Sequence, residues 1–276
     1  MTRPATTNTP LCWDATFPSL RLEGGGARDF LQGQTSADLQ NSTTELISSC
    51  WLTATGRLRA LLEIRLDAQG ADVLVLAGDA DQVSAGFDQV IFPADRVRLK
   101  AANRQRRLQE LFGDDRVQWL DSNAPLPGEW AALPAADPDK LEYWRVLHGI
   151  PSGSGEITGA TNPFELGLAR WVSLSKGCYL GQETMAKLAS KGGVKQQLRC
   201  WQGQEEVQPG DTLHQGDDRA GVVTTSLRIG AEDGWIGLAL IRRQHLDVLN
   251  LEGPDGQQLT LFCPEGFQPP PTPSGS

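Results

Sequence analysis

Cysteine, lysine and glutamate meet in one run, Lys176-Gly177-Cys178-Tyr179-Leu180-Gly181-Gln182-Glu183. Gly177 and Gly181 suit a tight turn, because glycine adopts backbone conformations that other residues resist. Glu183 suits the first turn of a helix that continues through Thr184–Ser190 and ends at Gly192-Gly193. Cys178 then sits just before a helix N-terminus and two residues from Lys176. Both features favour a thiolate, the nucleophilic form of cysteine. The alternative is a buried cysteine that fills space in a turn, since free Cys is among the most buried residue types.

Two further groups bear on a ligand. Lys187, Lys191, Lys195 and Arg199 form a basic ladder, with no Asp or Glu between Thr184 and Gln204. This is either a complement to the helix C-terminus or an anion-binding edge suited to the carboxylates of a small ligand. Glu165 stands alone as an acid in the apolar run Ala160–Leu168. It is either a receiver for ring N–H groups of a heterocycle or a helix-entry carboxylate after Asn162-Pro163. The run Gly24-Gly25-Gly26 reads as a turn, because neither GxGxxG nor a Gly-Lys-Ser/Thr follows it. No Ser/His/Asp set, paired-carboxylate device or metal-ligand spacing is evident.

The rest of the chain must position these groups. Its 276 residues carry 25 Lys and Arg against 34 Asp and Glu, a net charge of −9. That balance disfavours direct nucleic-acid binding, which needs a basic surface. The five cysteines, Cys12, Cys50, Cys178, Cys200 and Cys263, are odd in number and form no CxxC. This predicts free thiols, a reducing compartment and hence the cytoplasm. The first residues lack the apolar core of a signal peptide, and no apolar run reaches the ~20 residues a bilayer needs.

The texture is α+β. Residues 13–100 read as a first α+β module, with strands at Ser19–Glu23, Ser48–Leu52, Leu58–Leu66 and Asp72–Leu76 and helices at Ala27–Gln32 and Asp79–Val90. Residues 101–194 read as a second, with Gln105–Phe112 and Leu141–Gly149 as helices. From 195 to 263, short strands at turn-separated spacing predict a small β-barrel. Residues 1–12 and 264–276 read as flexible tails.

With these residues in view, the chain resembles the YgfZ-type folate-binding proteins, relatives of the glycine-cleavage T-protein aminomethyltransferase. Lys176–Glu183 matches every fixed position of their signature K-G-C-Y/F-x-G-Q-E. Phe30-Leu31-Gln32-Gly33-Gln34-Thr35 and Asp38 resemble a second family segment, and Thr53, Gly56 and Arg57 resemble its L-T-x-x-G-R turn. Arg145 with Gly149-Ile150-Pro151 resembles R-x-x-x-G-I-P, and Asn162–Leu168 sits where the family has E-x-x-L. The resemblance runs from about Leu20 to Leu261.

It implies two ferredoxin-like α+β modules and a C-terminal β-barrel around a central channel for tetrahydrofolate or a one-carbon derivative. It implies a monomer that supports iron–sulfur cluster assembly or repair in client enzymes, including radical enzymes that modify tRNA, without touching nucleic acid or membrane. Cys178 is then the functional thiol. Glu165, Lys176, Tyr179, Gln182, Glu183, Gln32 and Arg57 are the folate surroundings, with Lys187 and Lys195 toward its glutamate tail. Aminomethyl transfer in the relatives uses acids in a G-x-x-x-D-D segment. Here Ala60 and Leu61 stand at those places, and neither can accept a proton.

Overall fold

A computed structural model describes residues 9–101, 103–153, 155–190, 193–230 and 234–271. Lys191 and Gly192, the first eight residues and residues 272–276 lie outside them. Seven strands form one antiparallel sheet: β1 (Leu11–Glu23), β2 (Leu46–Leu52), β3 (Leu58–Asp67), β4 (Gly70–Gly78), β5 (Arg98–Leu99), β6 (Asn103–Leu111) and β7 (Val117–Leu120). Their order is β2-β3-β4-β1-β6-β7, with β5 also on β1. A closed barrel follows, from β8 (Gln196–Gly203), β9 (Thr212–Gln215), β10 (Asp218–Arg228), β11 (Trp235–Arg242), β12 (Asn250–Glu252) and β13 (Gln258–Phe262). The chain is thus α+β with a closed C-terminal barrel. The strands of both expected α+β segments share one sheet, with β5 and β6 on either side of residues 100 and 101.

Helices α1 (Ala27–Gln34) and α2 (Ala80–Asp88) cover one face of the sheet, burying Phe30, Leu31, Val83 and Phe87 against Leu62, Ile64 and Val73. Asp79 starts α2 by accepting the N–H groups of Asp81 and Gln82, an ordinary N-cap. A short helix α3 (Gly128–Ala131) precedes α4 (Pro138–His148), which is capped by Asp137 and closed by Gly149 in the left-handed region at φ 66°. The last helix, α5 (Gln182–Ser190), carries the second half of the signature.

One apolar cluster joins every part. It gathers Cys50, Leu52, Leu58 and Leu61 from β2–β3, Phe164 and Leu166 from the loop after α4, Tyr179 and Met185 from the signature, and Leu198, Cys200, Ile236 and Leu238 from the barrel. The signature is therefore seated by a core that sheet and barrel share.

Three expectations change. Gln105–Phe112 is not a helix: Gln105–Leu111 lies within β6, which pairs with β1 from Leu11↔Leu111 to Ser19↔Asn103, and Phe112 follows its end. Its Gln, Arg, Leu and Glu are good helix formers, but cross-strand contacts override that preference. Arg106 donates two hydrogen bonds to Asp14, and buried Arg107 donates two to Glu63 on β3. Polar residues on the buried face hide the alternation that marks a strand. At the N-terminus, Leu11 and Cys12 belong to β1 rather than to a tail. At the other end, Glu265 donates to Leu147 O and Gln268 to Gly167 O, so residues 264–268 lie against α4 and the loop that follows it.

Candidate functional site

The signature loop lies on the C-terminal end of α1. Ser173 N–H donates to Ser36 O and Leu180 N–H to Gly33 O, which fastens the loop at two points. Between them Lys176 turns inward. Its ammonium donates to three backbone carbonyls, those of Gln32 at 2.7 Å, Thr35 at 2.6 Å and Ala37 at 2.7 Å. It also lies 4.7 Å from the centre of the Tyr179 ring. An ammonium has three N–H donors, so none is left for a ligand. Burial lowers the Lys176 ammonium to about 8, while Asp38 pulls it the other way.

Three expected folate contacts are turned inside the protein, and two of them, Lys176 and Gln32, are engaged there by hydrogen bonds. Beside Lys176, Gln32 donates to Asp38 and accepts the Leu39 N–H. Tyr179 is buried in the shared core with a hydroxyl that has no hydrogen-bond partner among the described residues, and burial next to Cys50 raises that phenol. Cys50 itself is fully buried, and its thiol is pushed up to about 12.

What the loop presents outward is Gly177 and Cys178. Both are exposed, and a Cβ built on Gly177 meets no atom within 4 Å. This removes the space-filling alternative for Cys178. Cys12, Cys50 and Cys200 are the buried thiols, and Cys263 is also exposed. Cys178 lies four residues before the first residue of α5, where Gln182 N–H donates to Tyr179 O. Gln182 is half-buried and Glu183 exposed on the first turn of α5.

The turn Thr53–Arg57 closes on itself, with Thr53 N–H donating to Arg57 O and Arg57 N–H to Thr53 Oγ1. It docks on α5 through two glycines. A Cβ on Gly181 would come within 2.7 Å of Thr53 O, and one on Gly56 within 2.8 Å of the Thr184 Cβ. The φ angles of these glycines are +86° and +73°.

From the same turn Arg57 reaches across to the loop after α4. It donates to Ala160 O at 2.7 Å and lies 3.8 Å from Glu165 Oε2. Glu165 is buried. Its Oε2 accepts the Asn162 N–H, while Asn162 Oδ1 accepts the N–H groups of Phe164 and Glu165, so the carboxylate also closes the local turn. Burial raises its carboxyl, and Arg57 and Lys195 oppose that rise. Among the described residues no hydrogen bond reaches Oε1, so this oxygen retains acceptor capacity.

Of the basic ladder, Lys187 and Lys195 are exposed. Lys191 lies outside the described residues. Arg199 is engaged, bonding Leu198 O and Gln197 and stacking over Phe267.

The structure thus brings together Arg57, Glu165, Lys195 and the start of α5, and it sets Lys176, Gln32 and Tyr179 in the wall behind Cys178. Ala60 and Leu61 of β3 are both buried in apolar clusters. Sequence reading missed an open cleft of about 560 Å³ beside the signature loop, between Ala37–Ser48 and Arg170–Ser173. Trp171 and Val172 give it an apolar wall, and no spacing in the chain marks it. No helix is long and apolar enough to cross a membrane, and no His/Cys/Asp/Glu group could hold a metal ion, among the described residues.

No protein-family model matches the chain. A chloroplastic Arabidopsis thaliana protein that carries a transferase name is 33% identical over 145 residues, 51% of this chain and 34% of that protein. The mitochondrial iron–sulfur cluster assembly factor IBA57 homologue of Aspergillus clavatus is 32% identical over 142 residues, 43% of this chain and 32% of that protein. The chain spans about a third of the length of these two relatives. The crystal structure of glycine cleavage system aminomethyltransferase T from Bartonella henselae superposes with a TM-score of 0.70 at 15% identity, covering 96% of this chain and 88% of that one. The chain thus shares the fold of that aminomethyltransferase and, over about half of its length or less, sequence similarity with the transferase-named protein and the iron–sulfur cluster assembly factor homologue.

Proposed function

We propose that the chain binds a reduced folate where the Thr53–Arg57 turn, Glu165 and α5 meet, and that it serves iron–sulfur cluster assembly or repair in client enzymes, including tRNA-modifying radical enzymes. The observation that carries this reading is the pair of Arg57 and buried Glu165 beside the helix that follows an exposed Cys178. The donor set fits such a ligand. A reduced pterin offers ring N–H groups, and Glu165 Oε1 is free to accept one. The glutamate tail carries carboxylates, and Lys187 and Lys195 are exposed cations. Bound folate would supply a one-carbon unit or its binding energy. The chain's own residues would orient the ring through Glu165 and Arg57 and present the Cys178 thiol. The kinship to an iron–sulfur assembly factor supports the client class, and five free thiols suit a reducing compartment such as the cytoplasm.

Aminomethyl transfer is the second reading, favoured by the fold. Against it, β3 carries Ala60 and Leu61 where the resemblance expects acids, and both side chains are buried among apolar neighbours. These positions offer no proton acceptor.

Titration of tetrahydrofolate, followed by tryptophan fluorescence and calorimetry, tests the binding. Saturable binding is expected, and none up to millimolar ligand would sink the proposal. Cys178→Ala should keep fold and folate affinity but fail to restore cluster-dependent enzymes in a deletion strain. Full restoration would reassign the thiol. Turnover with the lipoylated carrier of glycine cleavage would revive the transferase.

A further inference from the structure

We infer that Lys176 is a positioning residue for Cys178: its buried ammonium pins the exposed tip of the signature loop to the end of α1. The inference rests on the reading of Cys178 as the functional thiol and deepens it.

The loop from Ser173 to Leu180 is bonded by its backbone at its two ends, to Ser36 O and Gly33 O. Between those points Lys176 N–H donates to Ser173 Oγ at 3.2 Å, a bond within the loop itself. The tie that crosses from the middle of the loop to α1 is the Lys176 side chain. It gathers the carbonyls of Gln32, Thr35 and Ala37, which ring the C-terminal end of α1, where backbone oxygens lack helical donors. The residues that follow, Gly177 and Cys178, are exposed, and a Gly177 Cβ would meet open space. The tip therefore owes its position to what lies just behind it.

The side-chain type fits this task. Three donors on one compact charge serve three converging carbonyls, whereas arginine would place five donors in a flat fork. The Tyr179 face completes the cradle on another side. Lysine thus does here what a small bound cation does elsewhere. It is covalently attached to the segment it fixes, two residues from the thiol.

The test compares the full-length chain with Lys176→Met, which keeps the stem and removes every donor, and with the milder Lys176→Gln, which keeps two. Amide hydrogen exchange is read at Ser173 and Leu180. Leu198, which donates to Glu165 O in the shared core, is the control. Alkylation of Cys178 is read by peptide mass spectrometry against the exposed Cys263 on the same chain.

Stranding buried carbonyls should lower protection at Ser173 and Leu180 by about ten-fold or more in the Met variant, with Leu198 unchanged. The rate of Cys178 alkylation relative to Cys263 should move by about three-fold or more, since reactivity follows access and microenvironment. Lys176→Gln should fall between, and it decides the matter if the Met variant does not fold. Protection and alkylation ratio both unchanged would overturn the inference. Equal loss of protection at Leu198 would also overturn it, because Lys176 would then be a general core residue. Neither readout involves folate or a client enzyme, so failure of the binding proposal leaves this result distinct.

Discussion

Two glycines of one signature should respond to alanine unequally, one with a large loss of stability and the other with almost none. Gly181 has φ +86°, a region that costs an L-residue roughly 1–2 kcal/mol. Its Cβ would also stand 2.7 Å from Thr53 O and 3.1 Å from Gly56 Cα, both backbone atoms that cannot swing aside. Overpacking of this kind costs about 1–3 kcal/mol. Gly181→Ala is therefore expected to lose roughly 2–5 kcal/mol, a drop in melting temperature of about 4 °C or more for a chain of this size. Gly177→Ala meets nothing within 4 Å, so its melting temperature should stay within about 2 °C of the parent. Gly56→Ala attacks the same contact from the turn side, where a Cβ would press on Thr184 and Met185. The double variant Gly56→Ala/Gly181→Ala should lose less than the sum, because the first change already parts the surfaces. Calorimetry and urea unfolding read stability, and folate titration of the folded fraction reads the site. Weaker folate binding is expected for Gly181→Ala, since the turn that separates from α5 is the one that carries Arg57. Equal costs at Gly177 and Gly181, or a neutral Gly181→Ala, would refute the idea that close backbone approach seats the signature.

Glu165→Gln keeps an acceptor for the Asn162 N–H but removes the charge. The folded-state carboxyl is raised above its unfolded value, so Glu165 stabilises the fold at acid pH and that contribution is lost as pH rises through the raised value. The Gln variant should gain on the parent in melting temperature between pH 4 and 7 while binding folate more weakly; a gap that narrows over that range would contradict the assignment. Glu156 is fully buried and accepts from Ser152 N–H, Ser152 Oγ and Thr225 Oγ1, with Arg145 at 3.6 Å. Glu156→Ala should cost roughly 3–5 kcal/mol by urea unfolding, because it strands buried donors and part of a charge. If Lys187 and Lys195 meet the glutamate tail, affinity should rise with polyglutamate length and fall with salt. Equal affinity for mono- and triglutamate at low salt would remove them from the site.

The sequence revealed the C-terminal barrel strands, the turn at Thr53–Arg57 and the helix after Gly181, because each is set by local signals: strand-length runs, a self-closing turn, a first-turn glutamate. Glu165 was half legible. Its role in closing the Asn162-Pro163 turn is local, but its approach to Arg57 depends on two segments far apart in the chain. Residues 105–112 were misread for a related reason. Arg106 and Arg107 look like helix surface until Asp14 and Glu63 are brought beside them by the sheet.

Lys176 shows why a matched signature is not a contact map. As text, Lys176-Gly177-Cys178-Tyr179 is one motif, and a lysine beside a cysteine reads as a partner for the thiol or an anion. In the fold the motif divides by direction. Lys176 and Tyr179 point into the protein, Gly177 and Cys178 lie outside, and Gly181 is bound by close approach. The carbonyls that decide this come from residues 139 to 144 positions earlier, and backbone oxygens carry no side-chain identity to be read. A motif of this kind joins two demands: something reactive must be shown, and the chain around it must be held still. Only the first is written in chemistry-bearing residue types. The second uses the same lysine for a structural purpose, and the exchange measurements at Ser173 and Leu180 separate the two.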